Sequence, residues 1–163
     1  MESGLRLGAS SEPWDAAVFS RVQLFSLRNE DGRLAEMGPT IRRSIAEFPT
    51  RPLFRCLLAR LLAEAGDEDG ARSVFEPLAA ARFAVIPVNN DLLLSLSHLA
   101  EVAWFLRDAG RAAMLHELLL PYRGLVVDAM ESTTGAVDRY LGLTAMTAGD
   151  LQAAERHLHD ALH

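Results

Sequence analysis

Apolar side chains recur every three or four positions along most of this chain, the pattern of amphipathic helices packed side by side. The spacing predicts a first helix over residues 13–28, with Val18, Phe19, Val22, Phe25 and Leu27 apolar and Ser11 as its N-cap. A second follows Gly32, is interrupted at Gly38-Pro39, resumes over 41–48 and stops at Pro49. The third, 52–65, capped by Thr50, is apolar on most sides, as a helix packed between neighbours must be. The fourth runs from 67 or 68 to 81, with Pro77 predicting a kink. An apolar connector over 82–90 leads to a fifth helix, 91–107, capped by Asn89 or Asn90 and carrying Leu92, Leu93, Leu96, Leu99, Val102, Ala103, Phe105 and Leu106. The sixth spans 109–120. A second apolar connector, 121–133, precedes helices over 134–148 and 150–162. Roughly 70% helix and no sheet is the expectation, well away from the globular average. Both connectors are expected to fold back on the helices, because their apolar side chains would otherwise form an exposed patch.

The turns inside the successive helix pairs fall on Gly32, Gly66, Arg107 and Gly149, at intervals of 34, 41 and 42 residues. An interval near 34 with this helix-turn-helix order is the mark of a tetratricopeptide-type α-solenoid. The chain is therefore read as all-α, a solenoid of about four antiparallel helix pairs in a right-handed superhelix. The pairs cover about 13–48, 50–81, 90–120 and 134–162, behind a flexible leader at 1–12. Since the last apolar position lies one residue before His163, with no polar capping helix, the reading expects part of a longer array; a short complete protein pairing through its ends is the alternative.

Composition narrows the work such an array could do. The formal charge is −6, and every one of the 16 cationic residues is Arg, spread along the chain, which argues against a nucleic-acid surface. The lone Cys56 has no internal disulfide partner, which favours a reducing, cytoplasmic setting. Ser95, His98 and Glu101 interrupt the longest apolar run, so no membrane span is expected.

Leu141-Gly142 with Gly149, Ala154, Leu158 and Ala161, and Leu58-Ala59 with Leu62, Gly66, Ala71 and Phe75, match the tetratricopeptide consensus in register. The first pair departs from it, with Met37 where the second helix wants Ala. A further resemblance covers about Val18 to the C-terminus, carried by Gln23-Leu24-Phe25-Ser26-Leu27-Arg28, Gly32-Arg33-Leu34-Ala35-Glu36, Glu117-Leu118-Leu119-Leu120-Pro121-Tyr122 and Arg139-Tyr140-Leu141-Gly142-Leu143. These strings resemble the C-terminal helical-repeat region of large bacterial signalling proteins. Such proteins carry a P-loop ATPase module before the repeats and a LuxR-type DNA-binding domain or an adenylate or guanylate cyclase at one end. The resemblance implies a regulatory sensing or scaffold segment. The family's second connector is usually Gly-rich, whereas here it reads Asp128-Ala129-Met130-Glu131-Ser132-Thr133-Thr134-Gly135.

Catalytic motifs are scarce. Without Lys there is no P-loop, and neither a Gly-x-Gly-x-x-Gly nor a Gly-x-Ser-x-Gly is present. His157, His159 and His163 cluster near the end, but a stripe of Leu151, Ala154, Leu158, Ala161 and Leu162 is expected to be the buried face, which leaves His159 and His163 beside Gln152 and Arg156 on the opposite, solvated side and no metal site. His98 with Glu101 reads as a packed hydrogen-bonded pair rather than an acid–base couple, and Cys56 as a small core residue rather than a reactive thiol. No cofactor is expected.

The leading expectation is a non-enzymatic module of a bacterial signalling or transcriptional regulator that binds a protein or peptide segment, or a small ligand. A structural module stacking end to end, with a homodimer through repeat ends, is the second reading, and a small metal-dependent enzyme the last. In tetratricopeptide stacks the first helix of each pair lines the concave side. That register selects Leu53, Cys56, Arg60 and Ala63, then Leu94, Ser97, Glu101 and Trp104, then Ala136, Arg139, Leu143 and Met146. Arg60, Ser97, Glu101, Trp104 and Arg139 are the candidate partner-binding residues. Arg60 and Arg139 could hold Glu101 or, alternatively, an anionic group of a ligand.

Overall fold

Eight α-helices and one β-hairpin make up the computed structural model, which describes residues 13–129 and 132–162. The leader with its Ser11 cap, together with Met130, Glu131 and His163, lies outside the described residues. The helices are α1 (Pro13–Glu30), α2 (Gly38–Glu47), α3 (Leu53–Glu64), α4 (Glu68–Ala79), α5 (Leu92–Phe105), α6 (Ala109–Leu119), α7 (Val137–Ala148) and α8 (Leu151–Asp160). Helix α3 packs along α4, α5 along α6 and α7 along α8, while α3, α5 and α7 contact one another in succession.

Each hairpin turn closes in the same way. Asp67 N donates to Leu62 O and Gly66 N to Ala63 O. The same two bonds recur as Asp108 N to Ala103 O with Arg107 N to Trp104 O, and as Asp150 N to Ala145 O with Gly149 N to Met146 O. Arg33 N to Arg28 O with Gly32 N to Asn29 O completes the set. This is the Schellman closure, which holds its turn residue in the left-handed region. Gly32, Gly66, Arg107 and Gly149 have φ of 68°, 75°, 54° and 91°. Asp67, Asp108 and Asp150 then cap the next helix, accepting from the amides of Gly70, Arg111 and Ala153.

Arg107 alone among the four has a Cβ to crowd the left-handed conformation. Arg107→Gly is therefore expected to stabilise the protein by about 1 kcal/mol, read as a higher urea midpoint with an unchanged slope. A neutral or destabilising result would mean that Arg107 makes compensating contacts.

Several local expectations need correction. The second connector is no plain loop: β1 (Val126–Ala129) pairs antiparallel with β2 (Ser132–Ala136), Val126 opposite Ala136, with an irregularity after Val127. The expectation of no sheet fails here because Val126 and Val127 favour extended backbone, while burial of Val127 against α5 gives the hairpin its third layer. Helix α4 runs through Pro77 to Ala79, and the chain breaks after it, where Ala81, Arg82 and Phe83 take φ of 49°, 57° and 63°. Phe83, buried against Phe75, anchors that turn. Pro39 starts α2 instead of kinking it, after a short 3-10 turn at Leu34–Met37. Neither Thr50 nor an Asn side chain caps α3 or α5: their N-caps are Pro52 and Asp91, and Asn89 Oδ1 accepts from the Asp91 amide instead. The connectors fold back in part, with Phe83, Ile86 and Val127 buried but Val85, Val88, Leu125 and Val126 in water.

The most consequential feature is the path of α1. Its stripe of Val18, Val22 and Phe25 is buried. The Phe25 ring stands edge-on to His98 of α5, 5.5 Å between centroids, and Asn29 Oδ1 accepts from Arg60 of α3 at 3.5 Å. Strand β2 also packs on α1. Helix α1 meets α2 through Arg21, which reaches the Ser44 hydroxyl, the Glu47 carboxylate and the face of Phe48. It thus lies across the first helices of later pairs.

On α8 the buried positions are Ala153, Ala154 and His157; of the expected stripe Ala154 is buried, while Leu151, Leu158 and, just beyond the helix, Leu162 are exposed. Small residues let α8 approach α7 closely. A Cβ built on Gly142 would stand 2.6 Å from Leu158 Cγ.

Candidate functional site: a cleft at the ends of the first helices

The residues expected on the concave side fall into a covered part and an open part. Leu53, Cys56, Leu94 and Ser97 belong to the covered part and are fully or almost fully buried. The Ser97 hydroxyl donates to Leu93 O, so this residue does not meet the open cleft. Burial pushes the Cys56 thiol up to about 12, which makes it a core residue rather than a nucleophile.

The open part lies toward the C-terminal ends of α3, α5 and α7. Arg60, Ala63, Glu64, Glu101, Trp104 and Arg139 line a cleft of about 340 Å³, closed on the far side by Leu143 and Met146. Four of the five candidate residues, Arg60, Glu101, Trp104 and Arg139, therefore come together. Arg60, Glu101 and Trp104 sit one or two turns from the Schellman ends of α3 and α5, and Arg139 joins them from the first turn of α7.

Charge in this cleft is organised around Glu101. Arg60 Nε donates to its Oε2 at 2.6 Å, and Arg139 approaches Oε1 at 3.5 Å. Arg60 also holds Glu64 at 2.8 Å, and the Arg139 guanidinium lies over the Tyr140 ring. Burial pushes the Glu101 carboxyl up, but the neighbouring His98 imidazole and Arg60 guanidinium outweigh it and hold the group at about 2. Burial likewise disfavours the charged form of Arg60, and the Glu101 and Glu64 carboxylates more than reverse that. His98 Nδ1 lies 3.8 Å from Glu101, an ion-pair distance and longer than a hydrogen bond, so the expected hydrogen-bonded pair is not formed. Both ring nitrogens of His98 are buried without a hydrogen-bond partner beneath Phe25. A substrate has no path to that ring.

Beyond Trp104 a second cleft, about 460 Å³, opens at the hairpin turns. It is lined by Glu68, Trp104, Phe105, Leu106, Arg107, Met146 and Thr147. Trp104, 53% exposed, stands between the two clefts and contributes to both. Large apolar rings left half in water beside fixed charges are typical anchors of binding surfaces.

One cluster was not anticipated from the sequence. Asp138 at the start of α7 is buried, accepts from the Gly124 amide at 2.7 Å and lies 3.2 Å from His157 Nδ1. His157 is thus tethered through Asp138 of α7 to the connector. Asp138, His157 and Asp160 offer ligand atoms within 4.8 Å of one another. Arg123 reaches Asp160 at 3.3 Å and Asp138 at 3.9 Å, so a guanidinium already supplies the positive charge there. Next to His157, burial lowers His116, whose Nδ1 lies 3.2 Å from Leu141 O and from Thr144 Oγ1. The signal for the tether, Asp138 and His157, is 19 residues apart in sequence and invisible without the fold.

Among the described residues no helix is long and apolar enough to cross a membrane. Comparison of the chain with family models, with curated proteins and with solved structures gave no match.

Proposed function

We propose that this chain is a non-catalytic helical-repeat module that binds an extended protein or peptide segment along the open clefts flanking Trp104. The observation that carries the reading is the half-exposed Trp104 between two clefts, with Leu143 and Met146 beside it and the Arg60–Glu101–Arg139 network at its edge. Four turns with one hydrogen-bonding pattern support treating the helix pairs as repeats of a tetratricopeptide-like solenoid. A regulatory role in the cytoplasm of a bacterium, as part of a signalling protein or transcriptional regulator, is what the string resemblance adds, and the lone buried Cys56 agrees with a reducing compartment.

The test is selection of random twelve-residue peptides displayed on phage against the full chain. Winners should bind wild-type protein and lose at least tenfold in affinity for Trp104→Ala, with a smaller loss for Arg139→Ala, while circular dichroism stays unchanged. Selection that yields no peptide, or peptides indifferent to Trp104, would overturn the reading.

A second reading, end-to-end stacking, is favoured by α8. Leu158 falls at the register position of Phe75 in α4 and His116 in α6, counted from the capping aspartates. Phe75 is fully buried, and His116 touches the α7 residues Leu141 and Thr144, whereas Leu158 is 41% exposed. The position through which α6 meets the next helix is thus partly open at α8. Light scattering of wild-type and Leu158→Glu protein decides it: concentration-dependent dimers abolished by the variant support stacking, and a monomer in both cases removes it.

A further inference from the structure

Arg107 is out of place by the logic of its own turn. The three other Schellman turns use glycine at the left-handed position, and their next residue but for Arg33 is an aspartate cap, just as Asp108 follows Arg107. Nothing in the turn's hydrogen bonding needs a side chain at that position, since Arg107 contributes its amide to Trp104 O as the glycines do to their partners. A strained backbone that local structure does not require directs attention to what the side chain does.

Arg107 is exposed and lines the 460 Å³ cleft together with Trp104 and Met146. Its neighbours leave it free. Glu68, the acid that shares the cleft, is engaged by Arg72 at 3.1 Å, and Asp108 is held by Arg111 at 2.8 Å. Arg111 in turn reaches Glu76. Arg107 has no ion-pair partner among the described residues. The first cleft differs on this point, because there Arg60 and Arg139 are both committed to Glu101. The two clefts therefore pose different chemical demands on either side of one indole.

We infer that Arg107 is a specificity-determining contact for the bound segment, and that it takes the carboxylate of an Asp or Glu whose apolar neighbour lies on Trp104 and Met146. This rests on the peptide-binding reading and adds the chemistry of the segment to it. A planar guanidinium pairs two-pronged with a carboxylate, and a half-exposed indole next to it offers the apolar residue a flat contact. With Glu68 already paired, an incoming acid meets one uncompensated cation rather than a like charge.

The experiment repeats the displayed-peptide selection on full-length wild-type protein and on Arg107→Gly. Winners against wild type should carry Asp or Glu next to Leu, Phe or Trp, and winners against the variant should lose that acid. The tightest wild-type winner, labelled with fluorescein, should bind at least tenfold more weakly when its acid is replaced by the amide. It should also bind at least tenfold more weakly to Arg107→Gly, and the two changes together should add little. The thermal midpoint of Arg107→Gly should rise, so that weaker binding is not a consequence of unfolding. Arg107→Lys should recover only part of the affinity. Winners that bind through Trp104 without an acid, or with equal affinity for Arg107→Gly, would overturn the assignment while leaving the cleft as a peptide site. A failure of both selections would overturn both. Displacement of the labelled peptide by millimolar inorganic phosphate, with no preference for acid over amide, would reassign Arg107 to phosphate and also defeat the carboxylate proposal.

Discussion

Leu99→Ala is expected to cost about 2–5 kcal/mol of folding stability, a large share of what a domain of this size possesses. Leu99 is fully buried near the middle of α5, and α5 is the helix that meets α3, α4, α6 and α7. Truncation removes three side-chain carbons from a site with helices on every side. The neighbouring backbone is hydrogen-bonded within those helices and will close the resulting cavity only in part. The control is Val88→Ala, 85% exposed in the first connector, where the loss should stay within about 0.5 kcal/mol. Urea unfolding of both variants beside wild type gives the measurement. A Leu99→Ala loss below about 0.5 kcal/mol would mean that α5 is not the centre of the core.

The parts of this architecture that were legible in the sequence are those decided by local chemistry. A left-handed turn residue followed by a capping aspartate announces itself as Gly66-Asp67 and Gly149-Asp150, because few residues tolerate either role. Arg107 could be placed in the same role only by register, since its own chemistry argues against that conformation. What failed was decided by partners distant in sequence. The stripe of Val18, Val22 and Phe25 promised that α1 buries a face, but not that the face would lie on His98 of α5. A third of the expected concave surface, Leu53, Cys56, Leu94 and Ser97, is interior. In α8 the apolar spacing points to Ala154, which is buried, but also to Leu151, Leu158 and Leu162, which are exposed. Ala153 joins Ala154 in the buried contact, Leu158 lies against Gly142 with part of its surface in water, and His157 is drawn inward by Asp138. The hairpin of β1 and β2 was too short for a period-two signal to stand out. Arg60, Glu101, Trp104 and Arg139 do share one cleft, because α3, α5 and α7 pack in succession, although Arg139 reaches Glu101 from one register position earlier.

Glu101→Ala is the second change expected to be severe, at roughly 3 kcal/mol near neutral pH. Glu101 and Arg60 are mostly buried side chains, 19% and 14% exposed, and the carboxylate also faces Arg139. Removing it leaves the desolvated Arg60 guanidinium with Glu64, 54% exposed, as an acid partner and takes away the buried carboxylate that Arg139 also faces. Glu101→Gln, which keeps the shape and loses only the charge, should account for most of the effect. The pH dependence gives a sharper test. The folded protein holds Glu101 at about 2, below its ordinary value of 4.5, so the charged form is the one that folding favours. Its contribution is complete above about pH 4.5 and fades as the pH falls toward 2, where the carboxyl protonates in the folded state as well. The stability difference between wild type and Glu101→Gln should therefore be largest at pH 6–7 and should shrink steadily between pH 4.5 and 2. A difference that stays constant across that range would show that Glu101 acts through packing, and the charge network at the cleft would lose its claim to hold Arg60 and Arg139 in place.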